Sequence, residues 1–356
     1  MTVYSICIKV PKKSGEKSIA LASRLNILNR ELKIYRDNES LYIPLIREPT
    51  DDEIKILKEH IPDLEVTVQQ LQAKDRKSIS IMDLLADKLP PHLLASLPRA
   101  IDFVGDIAIV EIPPELDSYK AEIGEAILNV HKNVRTVLAK AGAISGVYRT
   151  RKYEVIAGET KTETIHKEYG CRYHVDVTKV YFSPRLSYER YRIAQLVRDG
   201  ETVVDMFAGV GPFSILIAKK HANVKIYAID INPNAIALLE RNVRLNRVDA
   251  RVYPILGDAG LIIEQKLKGV ADRVIMNLPE KAIEFVGAAC KAIKSQGGVI
   301  HFYSFATPEN TIESVADKFK RKVEETGRKV ERIISTRVVR ETAPYEWQVV
   351  IDAQIT

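Results

Sequence analysis

The carboxyl half of the chain, from about residue 171, alternates short apolar runs with longer segments of mixed character. The short runs are apolar throughout, as in strands buried on both faces, and the longer segments repeat apolar residues every three or four positions, as in helices. This alternation predicts a parallel, doubly wound sheet. Five such strands are followed by two more, VERIISTRVVRE and EWQVVIDAQI, which the turn TAPY separates. We therefore expect five parallel strands with an antiparallel hairpin at the carboxyl end.

The amino-terminal half has a different pattern and predicts two smaller α+β units. Residues 1–72 alternate as strand, helix, hairpin, helix and strand, with the hairpin turning at Asp37–Asn38 and the second helix capped by Thr50 or Asp51. Residues 73–170 hold short helices and several strands, one of which is predicted over GVYRTRKYEVIAG. The polar stretch 72–78 is predicted to be a linker. The predicted domains are therefore 1–72, 73–170 and 171–356.

Composition indicates an ordinary globular protein without a metal site. The chain has 356 residues, of which 46% are hydrophobic and 28% charged, with a net charge of +6 that favours a nucleic-acid partner slightly. Three scattered cysteines and seven histidines form no paired ligand spacing, which argues against zinc and against a disulfide framework. No apolar run reaches the roughly 18 residues that a membrane span needs. The amino terminus has no signal-peptide pattern, so we expect a cytoplasmic protein. We also expect the protein to be a monomer.

A glycine pair, Gly209 and Gly211, lies between the first of the five predicted parallel strands and the helix that follows it. The dinucleotide fingerprint would need a third glycine at position 214, which is Ser214, and Pro212 removes an N–H that a pyrophosphate would use. These two departures disfavour a phosphate-bearing cofactor and make a dinucleotide oxidoreductase the weakest alternative. A ligand with an adenosine group and no phosphate fits this loop better.

Acidic residues at three consecutive strand ends support the same ligand. Asp230 follows the glycine loop by about 20 residues, where a carboxylate can accept both ribose hydroxyl protons. Asp258 ends the next strand, within reach of an adenine amino group, and Asp205 ends the first strand, near a cationic tail. Each aspartate alone is as readily explained as a helix cap. Together they predict S-adenosylmethionine, with a predicted binding set of Asp205, Phe207, Gly209, Gly211, Asp230, Ile231, Asp258, Ala259 and Asn277.

The ordered motifs YFSPRLSYER, DMFAGVGPFSI, AIDINPNAIALLERNVRLN, MNLP and VRETAPYEWQVVIDAQI resemble the tRNA (guanine-37 N1)-methyltransferases of archaea and eukaryotes. The resemblance spans nearly the whole chain and implies a Rossmann-like class I methyltransferase domain preceded by two smaller units. It implies that the amino-terminal unit contacts tRNA and that the middle unit contributes to the active site. The expected activity is transfer of a methyl group to N1 of guanosine 37, next to the anticodon.

The resemblance also implies roles for individual residues. Glu189 would be the general base that takes the N1 proton, and Arg149 would stabilise the charge that builds on O6. Asn277 would hydrogen-bond the edge of a flipped-out base. Alternatives stay open: Glu189 is equally placed to pair with Arg192 or Arg185 on its own helix, and Arg151 lies on the same predicted strand face as Arg149. The remaining predicted substrate-binding residues are Tyr181, Arg185, Pro279 and Arg151.

Several rival functions share parts of this pattern. Transfer of the aminocarboxypropyl arm to a wyosine precursor uses the same fold, but those relatives carry Gly-Asn where this chain has Pro184-Arg185. Ring-carbon methylation of a wyosine intermediate stays open as a second activity. An adenine or cytosine amino-methyltransferase needs an aromatic residue after its prolines, where this chain has Glu280. A non-catalytic tRNA-binding protein would have no reason to retain the whole set of strand-end aspartates.

Overall fold

The computed structural model describes residues 2–73, 79–143 and 146–356. These divide into two compact units, Met1–Ile79 and Ser80–Thr356. Residues 74–78, most of the predicted linker, lie outside the described residues. Of the two residues before them, Gln72 ends a strand and Ala73 forms an isolated β-bridge. Each unit is described by itself below.

The first unit is a four-stranded antiparallel sheet with two helices. The strands run in the spatial order β2-β3-β1-β4, and Ile8, Ile43 and Leu57 are buried in its core. Of the two predicted caps, Thr50 is the one that caps the second helix, in a capping box whose reciprocal partner is Glu53. The elements are β1 (Thr2–Pro11), α1 (Gly15–Arg24), β2 (Tyr35–Arg36), β3 (Ser40–Pro44), α2 (Asp51–His60) and β4 (Glu65–Gln72).

The second unit begins with a small mixed sheet in the order β5-β6-β7-β8 and a separate hairpin of β9 with β10. The turn of that hairpin contains the predicted boundary between residues 170 and 171. The elements are α3 (Ile81–Leu85), α4 (Pro91–Leu94), β5 (Ile101–Val104), β6 (Ile107–Val110), α5 (Lys120–Val130), β7 (Thr136–Lys140), β8 (Tyr153–Gly158), β9 (Glu163–Glu168) and β10 (Cys171–Asp176).

The strand predicted over residues 146–158 is wrong in its first half. Residues 146–149 form a turn, and β8 starts only at Tyr153. Arg149 has a φ of 54°, in the left-handed region that no strand residue occupies. The alternation that placed Arg149 and Arg151 on one strand face therefore does not apply to them.

The rest of the second unit is a seven-stranded sheet that confirms the predicted architecture. Its order is β13-β12-β11-β14-β15-β17-β16; the first five strands are parallel, and β17 pairs antiparallel with both β15 and β16. The strands are β11 (Thr202–Asp205), β12 (Lys225–Asp230), β13 (Val252–Leu256), β14 (Arg273–Met276), β15 (Gly298–Ala306), β16 (Val330–Ala343) and β17 (Glu346–Ile355).

Six helices accompany this sheet, and apolar clusters fill both of its faces. Residues 279–281 form a turn, and a short 3₁₀ helix over Ala282–Phe285 precedes α10. The helices are α6 (Ser187–Leu196), α7 (Pro212–Lys220), α8 (Pro233–Asn246), α9 (Ala259–Lys266), α10 (Val286–Ala292) and α11 (Ile312–Glu324).

The strand order reverses between β11 and β14, because the chain moves outward to β12 and β13 and then returns to the other side of β11. Such a switch point opens a crevice at the carboxyl ends of the strands, where ligands bind in open α/β sheets. The loops that follow β11 and β14 border this crevice.

Candidate active site

A cavity of about 260 Å³ lies at this switch point. Its floor comes from the residues that follow β11, β12, β13 and β14. Its other wall comes from the turn before β8 and from residues 181–190. The predicted residues that line it are Arg149, Tyr181, Phe207, Gly209, Asp230, Ile231, Asp258, Ala259 and Asn277.

The glycine loop is shaped by hydrogen bonds to Asp230. The two carboxylate oxygens accept from the backbone N–H groups of Gly209, at 2.7 Å, and Asn232, at 2.8 Å. Gly209 and Gly211 have φ values of 56° and 86°, and a Cβ on Gly211 would collide with Leu239. Gly211 thus permits close packing behind the loop and does not itself line the cavity.

The three strand-end aspartates occupy different environments. Asp230 and Asp258 line the cavity, and Asp258 also caps α9 by accepting from the backbone N–H of Leu261 at 3.0 Å. Asp205 is fully buried beneath the loop, where Ser214 Oγ donates to it at 2.7 Å, and it does not line the cavity. Burial raises the pKa of Asp205 to about 7 and also raises the pKa of Asp230.

The opposite wall brings Arg149 against Tyr181. The guanidinium carbon of Arg149 lies 4.9 Å from the centre of the Tyr181 ring, a cation–π distance. Arg149 Nη2 also lies 3.1 Å from a carboxylate oxygen of Glu280, which lines the cavity too. The sequence offered no partner for Glu280, because this ion pair joins segments that are 131 residues apart.

Arg151, Arg185 and Pro279 do not line this cavity. Arg185 forms two hydrogen bonds with the carboxylate of Asp102. Arg151 and Arg185 line a second, adjoining cavity of about 280 Å³, which shares Arg149 and Tyr181 with the first. Arginines therefore gather on one side of the candidate site. Of Arg149, Arg151 and Arg185, only Arg149 lines both cavities.

Glu189 lies on α6, is only 2% exposed and does not line the cavity. Arg192 donates to both of its carboxylate oxygens, at 2.7 and 2.9 Å, and Tyr303 Oη donates to one of them at 2.7 Å. Of the two arginine partners that its helix offered, the structure pairs it with Arg192. The carboxylate is thus held by donors on two different elements.

This carboxylate belongs to a longer buried network. Arg192 also donates to Asp352, at 2.6 Å, and Asp352 lies 2.5 Å from His301 Nδ1. Because Arg273 Nη1 donates to His301 Nε2 at 2.8 Å, the imidazole proton is on Nδ1 and the ring is neutral. Burial lowers the pKa of His301, which agrees with the neutral ring.

Arg190 lines the cavity, although it is not among the predicted site residues. It is 2% exposed, and it donates to a carboxylate oxygen of Glu168 and to the backbone oxygen of Ser183, each at 2.8 Å. Its guanidinium carbon lies 4.7 Å from the centre of the Phe182 ring. The sequence shows only that Arg190 follows Glu189 on a predicted helix, and this position does not show which way its side chain points.

Neither a membrane-spanning helix nor a metal-binding cluster is found in the part of the chain that the structure describes. No helix there has both the length and the apolar character to cross a membrane. The same residues contain no group of three or more histidine, cysteine, aspartate or glutamate side chains placed to hold a metal ion.

Comparisons with known proteins agree with this geometry. Residues 164–331 match the TRM5/TYW2 methyltransferase domain, residues 81–162 the TYW2 N-terminal domain, and residues 7–53 the tRNA methyltransferase 5 N-terminal domain. The chain is 42% identical over 360 residues, 99% of both chains, to the tRNA (guanine(37)-N(1))-methyltransferase Trm5b of Pyrococcus abyssi.

Two further similarities bear on the reaction. A solved complex of aTrm5 with tRNALeu superposes with a TM-score of 0.71 at 36% identity, covering 99% of this chain and 100% of that one. The tRNA(Phe) (4-demethylwyosine(37)-C(7)) aminocarboxypropyltransferase of Pyrococcus horikoshii is 34% identical over 77% of this chain and 96% of its own length.

Proposed function

The chain belongs to the TRM5/TYW2 methyltransferase family, and we propose that it methylates N1 of guanosine 37 in tRNA with S-adenosylmethionine as the donor. One observation carries the proposal: a single cavity is lined by Asp230 and Asp258 and also by Arg149, Tyr181 and Asn277. It is thus equipped for an adenosine-containing ligand and for a planar base together.

The cofactor side fits S-adenosylmethionine by the chemistry of its donors and acceptors. When bound, this cofactor supplies a methyl group on a sulfonium. Asp230 and Asp258 offer carboxylate oxygens to ribose hydroxyls and to an adenine amino group, as the sequence predicts. Pro212 opens α7 and leaves no N–H at that position for a phosphate. Gly209 lets the backbone approach the ligand closely.

On the acceptor side, N1 of guanine carries a proton that must leave as the methyl group is attached. We assign the base to Glu189, and Arg149 to the oxygen O6, where negative charge accumulates. Arg192 and Tyr303 hold Glu189 outside the lining of the cavity, so its side chain has to turn from them towards the base to accept the N1 proton. Likewise, O6 replaces Glu280 as the partner of Arg149.

The remaining residues are proposed to hold the base and its phosphates. Tyr181 presents its ring beside Arg149 and Asn277 presents its amide to the base edge, while Pro279 fixes the turn that follows Asn277. Arg151 and Arg185 line the adjoining cavity and are placed for phosphate contacts. We also propose that the enzyme acts as a monomer, in the cytoplasm.

The aminocarboxypropyl transferases are the nearest rival, since they share the fold, the cofactor and the tRNA position. Pro184 opens a 3₁₀ helix before α6, and Arg185 is fixed to Asp102 at the rim of the site. These two residues replace the Gly-Asn of that group and favour the methyltransferase. Methylation of a ring carbon in a wyosine intermediate remains part of the proposal as a second activity at the same position.

The test uses S-adenosylmethionine labelled in its methyl group and unmodified tRNA transcripts with guanosine or adenosine at position 37. We expect label in the guanosine transcript alone, recovered as N1-methylguanosine. The aminocarboxypropyl rival is tested on tRNA that carries the wyosine precursor at position 37, where unlabelled tRNA with accumulation of labelled methylthioadenosine would establish it instead. Tight tRNA binding without turnover of either kind would leave only a binding protein.

A further inference from the structure

A cross-strand pair in the carboxyl-terminal hairpin lies directly behind the cavity. Arg340 of β16 and Gln348 of β17 are register partners, and Arg340 Nε donates to Gln348 Oε1 at 2.9 Å. Gln348 is 1% exposed, and its Nε2 donates to Oδ1 of Asn277 at 3.1 Å. Neither Arg340 nor Gln348 lines the cavity that Asn277 faces.

The direction of these two hydrogen bonds is fixed by chemistry. Amide oxygen and nitrogen are nearly indistinguishable by shape, so the orientation of a glutamine usually has to be inferred. Here a guanidinium has only donors, and it therefore requires the oxygen of Gln348 on its side. The nitrogen of Gln348 must then face Asn277, whose oxygen must be the acceptor.

This order leaves the nitrogen of Asn277 as the group available to a ligand. In the described part of the chain, no protein acceptor takes Asn277 Nδ2, and Asn277 lines the cavity. The chain of hydrogen bonds from Arg340 through Gln348 to Asn277 therefore fixes the orientation of the Asn277 amide, which presents its N–H donor to the cavity. An asparagine without this support could present either face to the base.

The same guanidinium fixes two other parts of the wall. Arg340 Nη1 donates to Ser183 Oγ at 2.9 Å, and Arg340 Nη2 donates to Tyr181 Oη at 3.1 Å. Both Ser183 and Tyr181 line the cavity. Nε of Arg340 thus donates to Gln348, whereas Nη1 and Nη2 donate to the wall, so each of the three nitrogens holds the guanidinium in place.

We propose that Arg340 and Gln348 are positioning residues that fix Asn277 as a hydrogen-bond donor to O6 of the purine. The proposal rests on the proposed function and adds a source of base selectivity to it. Guanine has an acceptor at this position, whereas adenine has an amino group, which is a donor and is repelled by another donor. The donor also stabilises the charge that O6 gains when N1 loses its proton.

The variant Gln348→Glu reverses the polarity with little change in shape. A glutamate keeps the bond to Arg340, but its second oxygen can only accept, so Asn277 turns its nitrogen away from the cavity and its oxygen towards the base. We expect the single-turnover rate constant for a guanosine-37 transcript to fall about 10- to 100-fold, as for one mispaired buried hydrogen bond. Binding of S-adenosylmethionine should stay unchanged.

A transcript with 6-thioguanosine at position 37 distinguishes lost polarity from lost packing. Sulfur accepts hydrogen bonds weakly, so the wild-type enzyme should prefer oxygen over sulfur at C6. In Gln348→Glu that preference should fall to about one tenth of its wild-type value, since the donor is gone. A merely structural defect would slow both transcripts equally and leave the preference unchanged, which would overturn the proposal.

The same hairpin offers a matched control, because Arg332 and Gln354 are also register partners and line neither cavity. Gln354→Glu should leave both rate constants within about twofold of wild type, the size expected of a surface substitution. In an Asn277→Ala background, Gln348→Glu should have no further effect on the preference. A further loss there would show that Gln348 acts through something other than Asn277.

Two additional outcomes keep the test decisive. If Gln348→Glu lowers the melting temperature markedly, Gln348→Met takes its place, because it keeps the length of the side chain and removes the polarity. It should lower the oxygen preference part of the way, and an unchanged preference would contradict the proposal. If the wild-type protein makes no N1-methylguanosine, the proposed function itself fails. If the wild-type protein is active and the variants keep its preference for oxygen over sulfur, only the proposal about Arg340 and Gln348 fails.

Discussion

The two sides of the cavity are built in different ways. On the cofactor side, Asp230 and Asp258 bond to backbone N–H groups 21 or fewer residues away, at the ends of neighbouring strands. On the acceptor side, the bonds that place Asn277 and Arg149 reach partners 71 and 131 residues away, and Glu189 is held by Tyr303, 114 residues away, as well as by Arg192 on its own helix. The cofactor side is therefore a local property of strand-loop-helix units, whereas the acceptor side exists only once distant segments have packed together.

This difference predicts that substitutions on the two sides affect separate measurements. Changes on the cofactor side should weaken binding of S-adenosylmethionine, and changes on the acceptor side should slow methyl transfer or lower stability. The five predictions that follow run from the largest expected effect to the smallest.

Glu189→Gln should slow methyl transfer about 10²- to 10⁴-fold, the usual contribution of a general base. The amide can still bond to Tyr303 but cannot take the N1 proton. Rate constants from rapid-quench single turnovers provide the measurement, with the exposed Glu240→Gln on α8 as the control. A loss of less than threefold would remove Glu189 from the mechanism.

Glu168→Gln should lower the free energy of unfolding of the second unit by about 3–5 kcal/mol, because it leaves the buried guanidinium of Arg190 without its ionic partner. The two side chains are 5% and 2% exposed. Glu264→Gln, which removes an exposed partner of Lys268 and Lys291, should cost less than about 1 kcal/mol. Equal losses in urea titrations of the two variants would contradict the importance of burial on this wall.

Asp230→Asn should weaken S-adenosylmethionine binding about 10- to 100-fold, because it removes an acceptor for the ribose hydroxyls and disturbs the bond to Gly209. The transfer rate at saturating cofactor should stay near the wild-type value. Calorimetric Kd values and single-turnover rates separate the two effects, with the exposed Asp249→Asn as the control. A slower transfer step at unchanged affinity would mean that the two sides are not separable.

Asp205 should make stability fall as the pH rises. Its pKa is raised from 3.8 to about 7 by burial, so between these values the folded state keeps a proton that the unfolded state has lost. From pH 5 to pH 6 the wild type should lose about 1.4 kcal/mol of unfolding free energy relative to Asp205→Asn. The difference should stop growing above about pH 7, and a difference that does not vary with pH would contradict this assignment.

Glu280→Gln should have the smallest effect. It breaks the ion pair with Arg149, whose carboxylate partner is half exposed, so the free energy of unfolding should change by less than about 1 kcal/mol. Because the freed guanidinium no longer has to leave a carboxylate before it meets O6, the KM for tRNA should fall. A higher KM would show that Glu280 contributes directly to binding tRNA.

The comparison also explains what the sequence could predict. The parallel sheet with its hairpin, the glycine loop and the aspartates at strand ends follow from periodicity and local turn chemistry, and the structure places most of the predicted cofactor residues around one cavity. Asp205 and Gly211 are the exceptions. Both support the loop from behind, and a strand-end position alone does not distinguish a residue that faces a ligand from one buried beneath it.

The acceptor side was harder to predict for a physical reason. The expected strand face of Arg149 and Arg151 was wrong because Arg149 adopts a left-handed backbone conformation that no alternation pattern encodes. The contacts of Glu280 with Arg149, of Gln348 with Asn277 and of Arg340 with Tyr181 carried no signal, since these partners lie on segments that only the folded sheet brings together. Arg192 was one of two possible partners for Glu189, and packing decided between them.

The most direct test of the central claim, that one cavity holds both the cofactor and the purine, is to find where the transferred carbon goes. The wild-type protein would be incubated with S-adenosylmethionine labelled with ¹³C in the methyl group and with an unmodified tRNA transcript, and nucleoside 37 would be fragmented in a mass spectrometer. The account predicts a single labelled methyl on N1 of guanine. Label on the ribose, on another nucleotide, or nowhere in the tRNA would contradict it.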